Sequence, residues 1–437
     1  MKSLWITLAV TASMALAQEG GNSVLIRNAD VYTGAGPVME DTSILVQNGR
    51  IAGVGKDLSA PDGVRVIDAE GMRVYPGLID SGTALGLEEI NGVNMTVDTG
   101  EMGQFMPQLR AIVAVNPDSQ HFPVSRVNGI TSAVTYPRLG GGGNQVIAGQ
   151  AALLHTDGWT WEEMSVNQGA AMYMIFPTLR VVPDNGHGGR GGGRGRGGDL
   201  PSTYTEAKRK YEQDIETIHE FFENARRYRL AKDGKAPDFE VDLKFEAMQP
   251  VLDGKMPLAV QATRQRAILD AVAFAEREKV KLVIVNPREL GEAAAVLKEK
   301  EIPVIFGPTL SLPLNNDDAY DAPFKLPAEA YEAGLKIAFG TFENQFVRNL
   351  PYNVAKAVAY GLPYEAAIEA ITKNPAEIWG AGDQLGSIEE GKWADLVLTD
   401  GDILETTTEI RGVFIKGRES DLTNRQTELY QRYLNRP

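Results

Sequence analysis

The chain has 437 residues, 43% hydrophobic and 23% charged, ordinary globular proportions at a length that suits a large domain with a smaller companion. Its net charge of -15 makes nucleic acid and anionic lipid poor partners. With zero cysteines it has no disulfide framework, no thiol nucleophile, no thiolate metal site and no cysteine-linked lipid.

The first residues read as an address. Lys2 precedes a short apolar run from Leu4 to Leu16, and Ala15-Leu16-Ala17 has the form of a cleavage site. A signal peptide over 1–17 is expected, cleaved after Ala17, and the mature chain is expected in a periplasm or outside the cell. The run is too short for a stable bilayer span, and no other apolar stretch reaches that length, so membrane insertion is not expected.

Val24–Val31 and Thr42–Val54 read as strands, with Asn48-Gly49 as a hairpin turn. The middle of the chain then alternates. Apolar strands are expected at Gly129–Pro137, Ala170–Pro177, Pro257–Thr263, Lys281–Asn286, Ile302–Pro308 and Leu335–Thr341. Helices are expected at Tyr204–Leu230, Arg264–Lys279, Glu289–Lys300 and Pro351–Tyr360. Strands apolar on both faces, separated by helices, predict a parallel sheet covered by helices, and a closed (β/α)8 barrel fits that pattern. The charged helix Tyr204–Leu230 reads as a solvated face. After Gln384 the chain returns to β, and a helical tail is expected over 421–437.

Two glycine-rich segments interrupt this order. Gly140–Gly143 precedes a strand, so a loop is a better reading than a phosphate cradle, which needs a following helix. Gly186–Gly198 mixes glycine with arginine and His187. A flexible insertion fits an acidic chain better than an RNA-binding tract.

Two motifs carry a family resemblance. "RVYPGLID" at Arg73–Asp80 resembles the entry to the barrel of the amidohydrolase superfamily. Ala370–Asp402 resembles its closing segment: Thr372-Lys-Asn-Pro-Ala on a helix, Leu385-Gly-Ser-Ile, Gly391-Lys and then Ala394-Asp395-Leu. The resemblance is nearest to the imidazolonepropionase-like and prolidase-like branch. It implies a (β/α)8 barrel over 76–382 and a composite β-sandwich from 18–75 and 383–420.

The resemblance also implies divalent metal at the barrel mouth, where it would lower the pKa of bound water from about 15.7 to about 7. Its ligands would be a His-x-His after strand one, histidines after strands five and six, and an aspartate after strand eight. On this chain those positions carry Gly82 and Ala84, Gln261, Asn286 and Phe342. A strand-four ligand has no clear place; the region Asp242–Glu246 is ambiguous. The four histidines stand elsewhere: His121 in a polar loop, His155 after an apolar strand, His187 in the glycine tract and His219 on the charged helix. Each reads as a surface or structural histidine.

What remains for the mouth is polar. Asp80, Ser81, Thr83, Gln261, Asn286, Thr309, Thr341, Glu343 and Asn344 are the expected lining, and Glu88, Glu89 or Glu343 are the possible bases. Asp80, Gln261, Asn286, Thr341 and Glu343 are the chosen binding candidates, and no metal or other cofactor is expected. Asp80 has a second reading as a holder of strand-end geometry. Three functions stay open. The first is a non-hydrolytic binding module for a small molecule, or a partner subunit in a homo-oligomer or beside an active relative. The second is a divergent hydrolase of dipeptide or non-peptide C–N bonds, with zinc or another divalent ion in a non-standard site. The third is a metal-free enzyme such as an isomerase. The substitutions favour the first.

Overall fold

The structure is a computed structural model that describes residues 22–137, 145–181, 201 and 203–436. The expected signal peptide, Gly140–Gly143 and Gly186–Gly198 with His187 lie outside the described residues.

The chain opens with β1 (Val24–Val31), β2 (Met39–Gln47), β3 (Arg50–Gly55), β4 (Arg65–Asp68) and β5 (Arg73–Pro76). The β2–β3 turn is the one read from sequence. Asn48 has φ 50° and Gly49 φ 80°, the two left-handed residues of a type I′ hairpin. Next come the barrel strands β6 (Leu78–Thr83), β7 (Ile130–Thr135), β8 (Ile147–His155), β9 (Ser165–Ile175), β10 (Leu258–Gln261), β11 (Leu282–Val285), β12 (Val304–Phe306) and β13 (Ile337–Phe339). Finally β14 (Leu396–Thr399), β15 (Ile410–Ile415) and β16 (Arg418–Glu419) join the opening strands. One sheet runs β16-β15-β14-β5-β1-β2-β3, with β4 beside β1, so both ends of the chain build one small domain. Its core is apolar: Ile26, Ile44, Val46, Leu396 and Phe414 are all buried.

The second sheet runs in chain order from β6 to β13. Its ends meet through hydrogen bonds: Phe342 N–H donates to Gly82 O at 2.7 Å and Ala84 N–H to Glu343 O at 3.2 Å. Alternation along each strand divides the side chains. Leu258, Ile284, Val304 and Phe339 face the surrounding helices, packing with Ile268, Leu297 and Val354. Ala259, Val283, Val285, Ile305 and Ala338 face inward, with Tyr136, Tyr173 and Trp379. The barrel is filled, as barrels of this kind are.

The strand pattern departs from the (β/α)8 expectation at one place. β8 runs antiparallel to both β7 and β9. The links are too short for anything else: residues 136–146 and 156–164 join these three strands. A parallel crossover needs about a dozen residues or more, usually with a helix. As a result His155, the last residue of β8, sits at the base of the barrel and not at its mouth.

The helix Tyr204–Asp233 presents Lys208, Arg209, Lys210 and Glu212 to solvent and buries its other face. Thr203 and Glu206 form a capping box at its start. Its buried face carries Tyr211, Ile218, His219, Phe222 and Tyr228. His219 Nδ1 pairs with Glu278 Oε1, and Arg226 Nη2 donates to Glu278 O at 2.7 Å. Charge along this helix marked a buried ion cluster as well as a wet surface. The tail helix, Arg425–Leu434, forms as expected and buries none of its residues. Among the described residues no helix is long and apolar enough to cross a membrane.

Candidate functional site

The C-terminal ends of the parallel strands converge on one mouth, and the polar residues named from sequence cluster there. Most are already committed to the fold. Asp80 is fully buried. Its carboxylate accepts from Gly82 N–H at 2.9 Å, from Thr341 N–H at 3.1 Å and from Thr341 Oγ1 at 2.7 Å. It therefore ties β6 to the residues after β13. Burial pushes its pKa up to about 7, against the pull of those three donors. Ser81 Oγ accepts from Trp379 Nε1 at 3.1 Å. Thr83 Oγ1 donates to Val134 O and Thr309 Oγ1 to Asn353 O. Asn344 Nδ2 donates to Glu88 O at 3.2 Å.

Less committed are Gln261, Asn286, Glu88 and Glu343. Gln261 Oε1 accepts from Tyr173 Oη at 2.6 Å, which leaves its amide nitrogen available. Asn286 has φ 53°, a left-handed turn at the end of β11. Glu343 is exposed at the rim. Burial of part of its side chain, and then the charge of Glu88, raise its pKa. Glu89 is occupied elsewhere: Ser119 Oγ and Gln120 N–H both donate to it, at the start of the helix His121–Arg126. His121 opens that helix, not a loop, and its Nε2 lies 3.0 Å from Glu89 O. The Asp242–Glu246 region is no strand end. Asp242 caps the helix Leu243–Leu252 by accepting from Lys244 N–H and Phe245 N–H.

An aromatic ring takes the centre of the mouth. Phe342 follows β13 with φ 53°, unusual for a bulky residue. Its ring lies over Gly82: a Cβ there would come within 2.9 Å of Phe342 Cζ. It joins the inward-facing cluster of Val285, Ile305 and Ala338. Tyr136, one strand away, is fully buried, and its hydroxyl has no hydrogen-bond partner among the described residues. Sequence reasoning missed Tyr136 and Tyr173 as lining. Inward alternation of Val134 on β7 and Tyr136 just after it was the readable signal for the first.

The base of the barrel holds a separate cluster. His155 Nδ1 lies 3.1 Å from Ser132 Oγ and 3.4 Å from Asp395 Oδ2. Both contacts use the same ring nitrogen and all three residues are buried, so this is no nucleophile–base relay. Burial holds the imidazole pKa down and the carboxyl pKa up, so charge is disfavoured on both. A cavity of about 600 Å³ also opens at this end, beside Trp379, Pro257 and Pro303. Its lysines, Lys255, Lys279, Lys281 and Lys300, are interleaved with Glu276, Glu301 and Glu377.

Comparison with known proteins bears on the whole assembly. Residues 261–419 match the amidohydrolase family. An amidohydrolase from Thermotoga maritima MSB8 shares the fold with TM-score 0.76 and 26% identity, over 91% of this chain and 99% of that one. The chain belongs to the amidohydrolase superfamily. A prolidase complexed with N-methylphosphonate-L-proline superposes on this superfamily member with TM-score 0.55 at 18% identity, over 91% of this chain and 99% of its own. Amidohydrolase tasK of Hapsidospora irregularis is 24% identical over 88% of this chain. The match spans 42% of tasK, so the chain covers under half the length of this curated relative.

Members of this superfamily typically use divalent metal, and the donors at this mouth do not fit one. Gly82 and Ala84 offer no side-chain donor, Gln261 and Asn286 offer neutral amides, and Phe342 offers carbon. Among the described residues no three His, Asp or Glu side chains are grouped to hold an ion. The arrangement can hydrogen-bond a polar ligand through amides and a rim carboxylate.

Proposed function

We propose that this chain is an exported amidohydrolase-fold protein that does not hydrolyse, and that it serves as a small-molecule binding module or as the partner subunit of an active relative. The observation that carries this reading is Phe342, whose ring covers Gly82 at the centre of the mouth. The unfitted donors around it support the same reading. Export is supported by the Lys2 to Ala17 pattern alone.

The test is turnover. Xaa-Pro dipeptides, N-acyl amino acids and cyclic ureides should stay intact with the chain, with or without added zinc or manganese. Saturable hydrolysis that is lost on changing Gln261 or Asn286 would overturn the proposal. The second reading, a divergent hydrolase, draws on one observation: Glu88 and Glu343 stand near enough for the charge of one to raise the pKa of the other. A carboxylate pair of that kind can divide acid and base roles. Turnover lost on Glu343→Gln and kept on Gln261→Ala would favour it.

A further inference from the structure

We infer that the Phe342 ring joins the strand ends at the mouth, and that this ring and any side chain at position 82 exclude each other. The inference rests on the reading of the mouth as free of metal and names what holds it together instead.

Three glycines surround the ring. Gly82 is the penultimate residue of β6, Gly307 follows β12 and Gly340 follows β13. None of them has a left-handed backbone, so conformation alone does not demand glycine at any of the three. Contact does. The nearest neighbours of a Cβ on Gly82 would all be Phe342 ring atoms: Cζ at 2.9 Å, Cε1 at 3.0 Å and Cε2 at 3.3 Å. A Cβ on Gly340 would lie 2.7 Å from Gly82 N and 3.0 Å from Phe342 Cε2. A Cβ on Gly307 would collide with Asn286 Oδ1 and lie 3.6 Å from Phe342 Cδ2. The ring therefore excludes a Cβ at Gly82, shares that exclusion with backbone at Gly340, and only touches the space at Gly307, which Asn286 fills.

The ring cannot easily swing away. Phe342 N–H is fixed on Gly82 O at 2.7 Å, and the preceding Thr341 is held by Asp80 on both its N–H and its hydroxyl. The inner edge of the ring packs with Val285, Ile305 and Ala338. Interiors at this density do not absorb an added side chain without moving their neighbours. A histidine restored at position 82 would meet the ring at its first carbon. The loss of metal chemistry is thus a packing state of the mouth as well as a loss of donors.

A double-mutant cycle on the full chain tests this by thermal unfolding. Gly82→Ala should lower Tm by about 1–3 °C in the parent. The same change should shift Tm by under about 0.5 °C when Phe342 is already alanine. Equal shifts in both backgrounds overturn the inference. If Gly82→Ala does not fold, recovery of folding in Gly82→Ala/Phe342→Ala supports it, and failure to recover in that variant and in Gly82→Ala/Phe342→Leu overturns it. Titration with zinc alone gives a second readout. A chain with Gly82→His, Ala84→His and Gln261→His should take up zinc only when Phe342→Asp is added; uptake with the ring in place contradicts the inference. The cycle reads stability without metal, so its failure is distinct from a failure of the functional reading, which shows as turnover by the parent chain.

Discussion

Replacing Asp80 by alanine removes the acceptor shared by Gly82 N–H, Thr341 N–H and Thr341 Oγ1 in a site with no solvent. The hydroxyl can turn to another acceptor, but the two backbone donors cannot. Each orphaned buried donor costs about 1–3 kcal/mol, so the loss should be about 3–5 kcal/mol. At about 1 °C per kcal/mol for a chain of 437 residues this is a fall in Tm of about 3–5 °C. Thr341→Val removes only the hydroxyl and should cost about 1 kcal/mol. Thermal and urea unfolding of the two variants give the comparison. The pH dependence adds a signed check. Folding raises the Asp80 pKa from 3.8 to about 7, so the folded state holds this proton more tightly. The stability it contributes is fully present below about pH 4 and is lost as pH rises through 7. Between pH 8 and pH 5 the parent gains about two units at 1.36 kcal/mol each, about 3 kcal/mol, that Asp80→Ala does not. The cost of the substitution should therefore be larger at pH 5 than at pH 8. A cost no greater than that of Thr341→Val, or one that shrinks in acid, would refute the role given to this carboxylate.

Other residues offer independent checks. Glu278→Gln breaks the buried cluster with His219 and Arg226 and should cost about 3–5 kcal/mol, read as a lower urea midpoint. Gly49→Ala puts a Cβ 2.6 Å from Lys416 O at φ 80°, where the β2–β3 turn meets the end of β15, and should lower Tm by several degrees; an unchanged Tm would mean that the turn is not held there. Asp395→Asn should lose stability, relative to the parent, as pH falls from about 7 to about 4. The reason is that the buried carboxyl, its pKa raised to about 7, stabilises the parent as it takes up its proton, and the variant lacks that gain while His155, whose pKa burial depresses, still costs stability in acid. Paired pH–stability curves check this, and parallel curves would contradict it.

Much of the fold was legible because its signals are local. Asn48-Gly49 fixes a turn with two residues, and apolar runs such as Leu282–Val285 mark strands buried on both faces. The reversal of β8 is topological. It follows from the length of the links on either side, which an apolar pattern does not express. Gly82 and Phe342 were singled out by motif, but not the contact between them, because it joins residues about 260 apart in the chain where the first and last barrel strands meet. His219 was read as a surface or structural histidine, and its partner was not legible, because Glu278 comes from the next helix but one in the chain.

Metal content of the purified full chain, prepared without chelator or histidine tag and read by elemental mass spectrometry, tests the central claim most directly. The account expects under about a tenth of an equivalent of zinc, manganese, iron, nickel or cobalt, since ions of this class bind imidazole, carboxylate and thiolate and the mouth gathers no such set. One or two equivalents held through gel filtration would contradict it.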